Sequence, residues 1–401
     1  MLGWELPPYN SGGLGMASYQ ICRSLAKKNI DIEFILPYKA EHNIDFMKVF
    51  PALPGGVIEV QHLGVAYDSY KYIFSDNGED TYSDDLFSQV RLYQKAALKL
   101  IANKSFDILH AHDWLTFSAA IKIKELRNCP IVLHVHSVES DRSGNNPGNS
   151  LIREIEEVAL NMADRIIAVS EFTKNKIIQD YRIPEQFIEV VHNSINANEL
   201  IDLDPENSYN YLRYMKSKGY RVITNVGRLT VQKGLSGLLH AIQKVVAIYP
   251  KTILLIVGSG DQMNELLNLS AELGIAKNII FTDFQRGKNW RNALGIGDLF
   301  VMPSVSEPFG LTPLEAISYH TPALISKQSG VSEVLNNVLK VDFWDIDEMA
   351  NQITTAFSNQ VLLDELLRNS YQEVLRMSWD HVGNKISKIY NEINNTQVAY
   401  V

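Results

Sequence analysis

The stretch Asp298-Leu-Phe-Val-Met-Pro-Ser-Val-Ser-Glu-Pro-Phe-Gly-Leu-Thr-Pro-Leu-Glu315 reads as a strand, a loop and a helix start in immediate succession. Leu299 to Met302 are apolar and few enough for a buried strand, and Pro303, lacking an N–H for a ladder, ends it. Gly310, Leu311 and Thr312 then open a helix, whose free N–H groups suit an anion such as phosphate. Glu307 and Glu315 stand eight residues apart across this turn, so one carboxylate can hold one end of a ligand and the other its far end. A lone acid in a first helical turn only complements the helix dipole; the whole string makes this one a site.

Outward from that unit the chain alternates strand and helix periods, the pattern of parallel sheets covered by helices. A glycine-rich turn and a helix to about residue 28 precede the strand Ile32-Glu-Phe-Ile-Leu36. The residues before the turn leave room for only a shortened first strand. A loop-rich stretch with Pro51, Pro54, Gly55 and Gly56 leads to a helix over 86–102, and strands follow at 106–110, 131–135, 165–169 and 187–191. Between them, Leu151, Ile155, Val158 and Met162 recur at helical spacing. The polar stretch 196–219, with Asp202, Asp204, Pro205, Glu206 and Asn207, reads as a linker. A second series places strands at 222–226, 253–257, 279–281, 299–301 and 323–325 and helices over 235–249 and 261–273. The tail 378–390 is amphipathic.

At 401 residues the chain exceeds one ordinary core, and its 46% hydrophobic and 21% charged content is that of a globular protein. A net charge of −9 disfavours nucleic acid or an anionic membrane as partner, so any phosphate site is local. No apolar run spans a bilayer and no export signal is apparent, so the expected location is cytoplasmic. Cys22 and Cys129 lie in apolar-patterned segments and read as reduced core residues, which fits that compartment. No His, Cys or carboxylate cluster has metal-ligand spacing, and Asp345-Ile-Asp347 reads as first-turn acids of a helix, so no metal site is expected.

Six more segments carry chemistry. Asn10-Ser-Gly-Gly-Leu-Gly-Met16 precedes an amphipathic helix, and glycines such as Gly13 and Gly15 would let a diphosphate approach backbone N–H groups. Asn225-Val-Gly-Arg-Leu-Thr-Val-Gln-Lys-Gly234 puts Arg228 just past a strand and Lys233 near the next helix, two cations suited to a diphosphate. Val257-Gly-Ser-Gly-Asp261 turns another strand into a helix at Gly258 without the spacing of a dinucleotide fingerprint. His110-Ala-His-Asp-Trp114 and His134-Val-His-Ser137 end two first-half strands. The polar run Glu139-Ser-Asp-Arg-Ser-Gly144 follows.

These segments resemble, in order along the chain, motifs of family 4 retaining glycosyltransferases and glycogen synthases, whose Glu-x7-Glu signature matches Glu307 and Glu315. The resemblance implies the GT-B architecture, an α/β fold with two Rossmann-like doubly wound domains facing across a cleft. Its implied division is an acceptor-side domain over 1–195, a linker over 196–219, a nucleotide-sugar-binding domain over 220–375, and a helix over 376–401 crossing back to the first domain. It implies Glu307, Arg228, Lys233 and His136 as catalytic groups. Gly13, Gly15, Gly258, Gly310, Leu311, Thr312 and Glu315 are the implied donor-binding set, and His112, Asp113, Asp141 and Arg142 are candidates on the acceptor side. The expected reaction moves a hexosyl, in particular a glucosyl, unit from a nucleoside diphosphate sugar, UDP- or ADP-glucose, to a hydroxyl of a glycan or other acceptor, with retention and without a cofactor. A sugar-nucleotide epimerase and a non-catalytic nucleotide-sugar-binding scaffold remain alternatives, and the oligomeric state stays open.

Overall fold

The computed structural model describes residues 1–10, 12–52, 74–76, 79–81, 86–199, 202–203 and 208–398. Its first half contains strands β1 (Glu33–Leu36), β2 (Lys48–Pro51), β3 (Phe74–Asp76), β4 (Glu79–Thr81), β5 (Leu109–His112), β6 (Ile131–Val135), β7 (Arg165–Ala168) and β8 (Ile188–Val190). β1 and β2 pair in parallel, β5 to β8 form a parallel run, and β3 and β4 make a separate antiparallel hairpin. Leu2 joins the two parallel pieces, bridging Ile35 on one side and Ala111 on the other. Its N–H donates to the His110 carbonyl at 2.8 Å and its carbonyl accepts from the His112 N–H at 3.1 Å. One fully buried residue thus serves as the central strand.

The second half contains β9 (Arg221–Val226), β10 (Thr252–Val257), β11 (Ile279–Thr282), β12 (Leu299–Met302), β13 (Ala323–Ser326) and β14 (Leu339–Val341). All pairs are parallel, in the order β11-β10-β9-β12-β13-β14. The chain therefore starts centrally, winds outward one way, and resumes on the other side of β9. Such an order opens a crevice at the carboxyl ends of the two strands where the winding reverses, here β9 and β12. In the first sheet the same reversal falls between the Leu2 segment and β5.

Three expectations are corrected by packing. The strand expected at 106–110 runs instead over Leu109–His112, because its ladder opens with Leu109 N–H on the Pro130 carbonyl (3.0 Å) and pairs Leu109 with Ile131. Within the expected linker, Asn210–Ser217 is a helix, and Tyr209 and Leu212 are buried in the second core; 204–207 lie outside the described residues, as do Ser11, Pro54, Gly55 and Gly56. The helix Ser150–Met162 buries Ile152, Glu156, Ala159 and Leu160 rather than the stripe through Leu151 and Val158, which is exposed. Glu156 can face inward because Arg142 and Tyr181 both hydrogen-bond its carboxylate.

The helix Trp379–Val398 packs along Gly13–Ala26 of the first domain. Trp379, Val382, Ile386, Ile389, Tyr390 and Ile393 are buried in the first domain's core, each such side chain contributing roughly 1.5–3 kcal/mol when fully buried. Gly383 permits the close crossing, since a Cβ there would lie 2.1 Å from Ser24 Oγ.

Candidate functional site

The crevice of the second sheet is lined by the turns after β9 and β12, which are stitched together. Val305 N–H donates to the Gln232 carbonyl and Gln232 Nε2 to the Ser306 carbonyl, each at 2.9 Å. Gly234, at φ 65°, lies so near Pro303 that a Cβ would sit 2.2 Å from its carbonyl oxygen. This seam sets Lys233 Nζ 2.5 Å from Glu307 Oε2, an oxygen that also accepts from Ser304 Oγ at 2.9 Å. Arg228 is half-buried just beyond β9. Burial raises the Asp261 carboxyl above its usual value, with Arg228 pulling the other way. Gly258 closes the β10 turn on the β9 turn at φ 149°, where a Cβ would stand 1.8 Å from the Gly227 carbonyl oxygen.

Gly310, at φ 96°, turns the chain from Glu307 into the helix Thr312–Ser318, placing Glu315 in its first turn with Leu311 and Thr312 at its start. Burial pushes the Glu315 carboxyl up to about 8.

Across the cleft, Gly13 opens the helix Gly13–Ala26 facing Leu311, whose Cδ1 would lie 3.6 Å from a Cβ on Gly13. Gly15 does not have the expected free N–H: it donates to the buried Glu5 carboxylate at 2.9 Å. A Cβ there would meet Asn10 Cβ at 2.6 Å, so this glycine serves the packing of the turn.

β5, β6 and the residue just after β6 stack four imidazoles, His110 on His112 (4.6 Å between centroids) and His134 on His136 (4.4 Å). His112 Nδ1 and His136 Nε2 are hydrogen-bonded at 3.1 Å, with His112 fully buried and His136 partly exposed. Burial pushes the His136 pKa down to about 3, so this ring is neutral. Asp113, at φ 58°, holds the loop after β6: Oδ1 accepts from the His136 N–H at 2.6 Å and the Ser137 N–H at 3.3 Å. Burial raises this carboxyl to about 7 against the opposing pull of Arg142 and the two amides.

Asp141 and Arg142, expected on the acceptor side, are occupied by the protein itself. Asp141 accepts from Ser306 Oγ at 2.5 Å and from Lys176 at 3.1 Å. Arg142 bonds Glu139, Glu156 and Ser137. Arg142 therefore holds the loop after β6 in place, and Asp141 ties it to the second domain through Ser306.

Sequence reasoning missed the residues that join the domains. Ser170 Oγ donates to the Pro308 carbonyl at 2.5 Å, and Glu333 accepts from the N–H groups of Glu171 (2.9 Å) and Phe172 (2.8 Å) and pairs with His192 at 2.6 Å. Arg286 reaches the Pro8 and Asn10 carbonyls. These are common residue types in loops without motif spacing, and only the folded proximity reveals them. The histidine stack was missed likewise: nitrogens of His110, His112 and His134 lie within 4.8 Å of one another. The rings are stacked at 16° and 22° rather than converging, so their in-plane lone pairs do not aim at one point. Asp345 caps its own helix and Asp347 pairs with Lys244.

Two family models match the chain, one described as glycosyl transferases group 1 over residues 213–373 and one as glycosyltransferase family 4 over residues 11–199. An uncharacterized glycosyltransferase of Methanocaldococcus jannaschii is 27% identical over 97% of both chains. A glycogen synthase of Mycobacterium tuberculosis is 26% identical over 84% of this chain and 80% of its own length. Among solved structures, a sucrose-phosphate synthase from Thermosynechococcus elongatus superposes with a TM-score of 0.75 at 18% identity, covering 96% of this chain and 94% of the other.

Proposed function

Since the chain is a glycosyltransferase of the GT-B architecture, resembling family 4 enzymes and glycogen synthases, we propose that it transfers a glucosyl unit from UDP- or ADP-glucose to a glycan or sugar hydroxyl, with retention and without a metal ion. The observation that carries this reading is the juxtaposition of Lys233 and Glu307 at the strand reversal of the second sheet, beside Arg228.

In the proposed reaction the bond from the anomeric carbon to the phosphate oxygen breaks, the acceptor oxygen bonds to the same face, and the acceptor's proton leaves with the phosphate. Negative charge grows on the diphosphate, where Arg228 and Lys233 stabilise the transition state more than the ground state. Glu307 supports the cationic anomeric centre. The N–H groups of Gly13 and of Gly310, Leu311 and Thr312 hold phosphate oxygens, Gly258 shapes the turn near the base, and Glu315 holds the ribose. Neutral His136, backed by His112, orients the sugar. Cleft closure excludes water. Within the described residues no helix is long and apolar enough to cross a membrane, and a cytoplasmic place of action is part of the proposal.

The test is nucleotide release by purified protein from UDP-, ADP- and GDP-hexoses, with and without a glucan or oligosaccharide, first in chelator and then with excess divalent metal. Acceptor-stimulated release from a glucose donor is expected. Release only with added divalent metal, or an epimerised donor as product, would overturn the mechanism.

Glu315 adds a pH signature. Its carboxyl sits at about 8 in the ligand-free fold, and ribose hydroxyls donating to it favour the carboxylate, so binding expels a proton. Affinity for UDP- or ADP-glucose should therefore rise by up to about tenfold per pH unit as pH increases towards 8, then level off. Calorimetry between pH 6 and 8.5 reads it, and Glu315→Gln should flatten the slope. An unchanged slope in that variant would remove Glu315 from ribose binding.

A further inference from the structure

We propose that Arg286 is a positioning residue that clamps the glycine-rich turn of the first domain in its closed position over the donor site, so that closure favours transfer over hydrolysis. The inference builds on the transferase reading and concerns the same cleft.

Arg286 follows β11, the outer strand on one flank of the second sheet. Its Nη1 donates to the Pro8 carbonyl at 2.6 Å and its Nη2 to the Asn10 carbonyl at 2.9 Å, both in the first domain. The two carbonyls bracket Tyr9, immediately before the turn that Gly12 caps and Gly13 opens. Asn10 passes the constraint on, because its Nδ2 donates to the Gly12 carbonyl at 2.9 Å. Within the first domain the turn is already fixed from below, by Glu5 on the Gly15 N–H. Arg286 fixes it from the opposite domain, and its guanidinium lies 5.1 Å from the Phe284 ring, which restrains the fork.

A planar fork can satisfy two carbonyls at once; a lysine ammonium on a flexible stem holds one of them less directionally. These two bonds exist only when the domains are together, so they favour the closed state by their full strength and the open state by nothing. The opposite flank has its own contacts, through Ser170 with Pro308 and Glu333 with the Glu171 and Phe172 N–H groups. Without Arg286 the cleft would remain joined on that flank and loosen at the glycine-rich turn, admitting water to the anomeric carbon. Hydrolysis would then transfer the hexosyl unit to water, the proton leaving with the diphosphate as in transfer.

The test compares wild type, Arg286→Ala and Arg286→Lys. Losing charge-assisted hydrogen bonds should shift the open–closed balance about tenfold. For Arg286→Ala the ratio of donor hydrolysis to acceptor transfer should therefore rise by up to about tenfold. Arg286→Lys should restore part of the coupling. Small-angle scattering of the ligand-free proteins should show a larger radius of gyration for Arg286→Ala, with its melting temperature unchanged. Equal radii of gyration and an equal hydrolysis-to-transfer ratio in all three would overturn the clamp. The scattering arm needs no substrate, so it decides the clamp even if the wild type transfers no sugar, a result that would instead count against the proposed function.

Discussion

Glu307→Gln is expected to lower kcat for hexosyl transfer by roughly 10²–10³-fold, the scale of losing one preorganised electrostatic contact to a transition state. Glutamine keeps the shape and can still accept from Ser304 Oγ, so the loss reports charge rather than packing. In the free enzyme the carboxylate and Lys233 neutralise each other at 2.5 Å. When a diphosphate arrives, the proposed role of Lys233 is to turn part of its charge to the phosphate, leaving Glu307 to meet the positive charge developing at the anomeric carbon. Lys233→Met should accordingly cost a similar factor. The double variant should lose little more than either single one, because each partner's contribution depends on the other. Steady-state kinetics with a donor giving acceptor-stimulated release, together with circular dichroism to establish folding, checks all three. Wild-type kcat in folded Glu307→Gln would end the assignment.

The second large effect is expected from Gly258→Ala. A single methyl group is added, yet at φ 149° it would stand 1.8 Å from the Gly227 carbonyl oxygen, well inside contact distance. Both neighbours are backbone and are held by the ladder, with Gly227 N–H on the Val257 carbonyl at 3.0 Å and Gly258 N–H on the Thr282 carbonyl at 3.1 Å. Neither can rotate away as a side chain would. Strain and overpacking together should cost about 3 kcal/mol or more, and relief must come from moving the β9 turn that carries Arg228 and Lys233. Thermal unfolding should show a drop of several degrees. Donor affinity measured well below the new midpoint should fall by at least tenfold. By contrast, Gly227→Ala, where a Cβ would meet nothing within 4 Å, should be close to wild type. Equal behaviour of the two variants would show that the turn is not packed as described.

Where a segment's fold followed from its own composition, the sequence was sufficient. The strand at 131–135 is all apolar but for one histidine, and it is a strand to the residue. The turn from Glu307 to Glu315 needed only a glycine at the bend and a helix beyond it. Where the outcome depended on a distant partner, the sequence was silent. In the sequence the strand reads as ending at His110, and His112 looks too polar to continue it until His134 in β6 and His136 just beyond stack beside it. Glu156 looks like a solvent residue until Arg142 is found beside it. Asp141 and Arg142 read as acceptor-side groups in the sequence, yet their charges are committed within the protein. The edge strand β14 is only Leu-Lys-Val and carries no period of its own. Arg286 is one arginine in a polar loop, and its two carbonyl partners are 276 and 278 positions away.

That same long reach shapes how the chain is made. Tyr390 meets His110 across 280 positions, and the helix bearing it closes the core of the half that leaves the ribosome first. The earlier-synthesised half must wait, with the Gly13–Ala26 face uncovered, through translation of everything up to Trp379. At about 5–20 residues per second that is a delay of tens of seconds or less, during which the apolar face is open to other chains. The second half carries its own cores and has no such wait. Vectorial synthesis therefore inverts the order of the domains: the one begun last can be finished first.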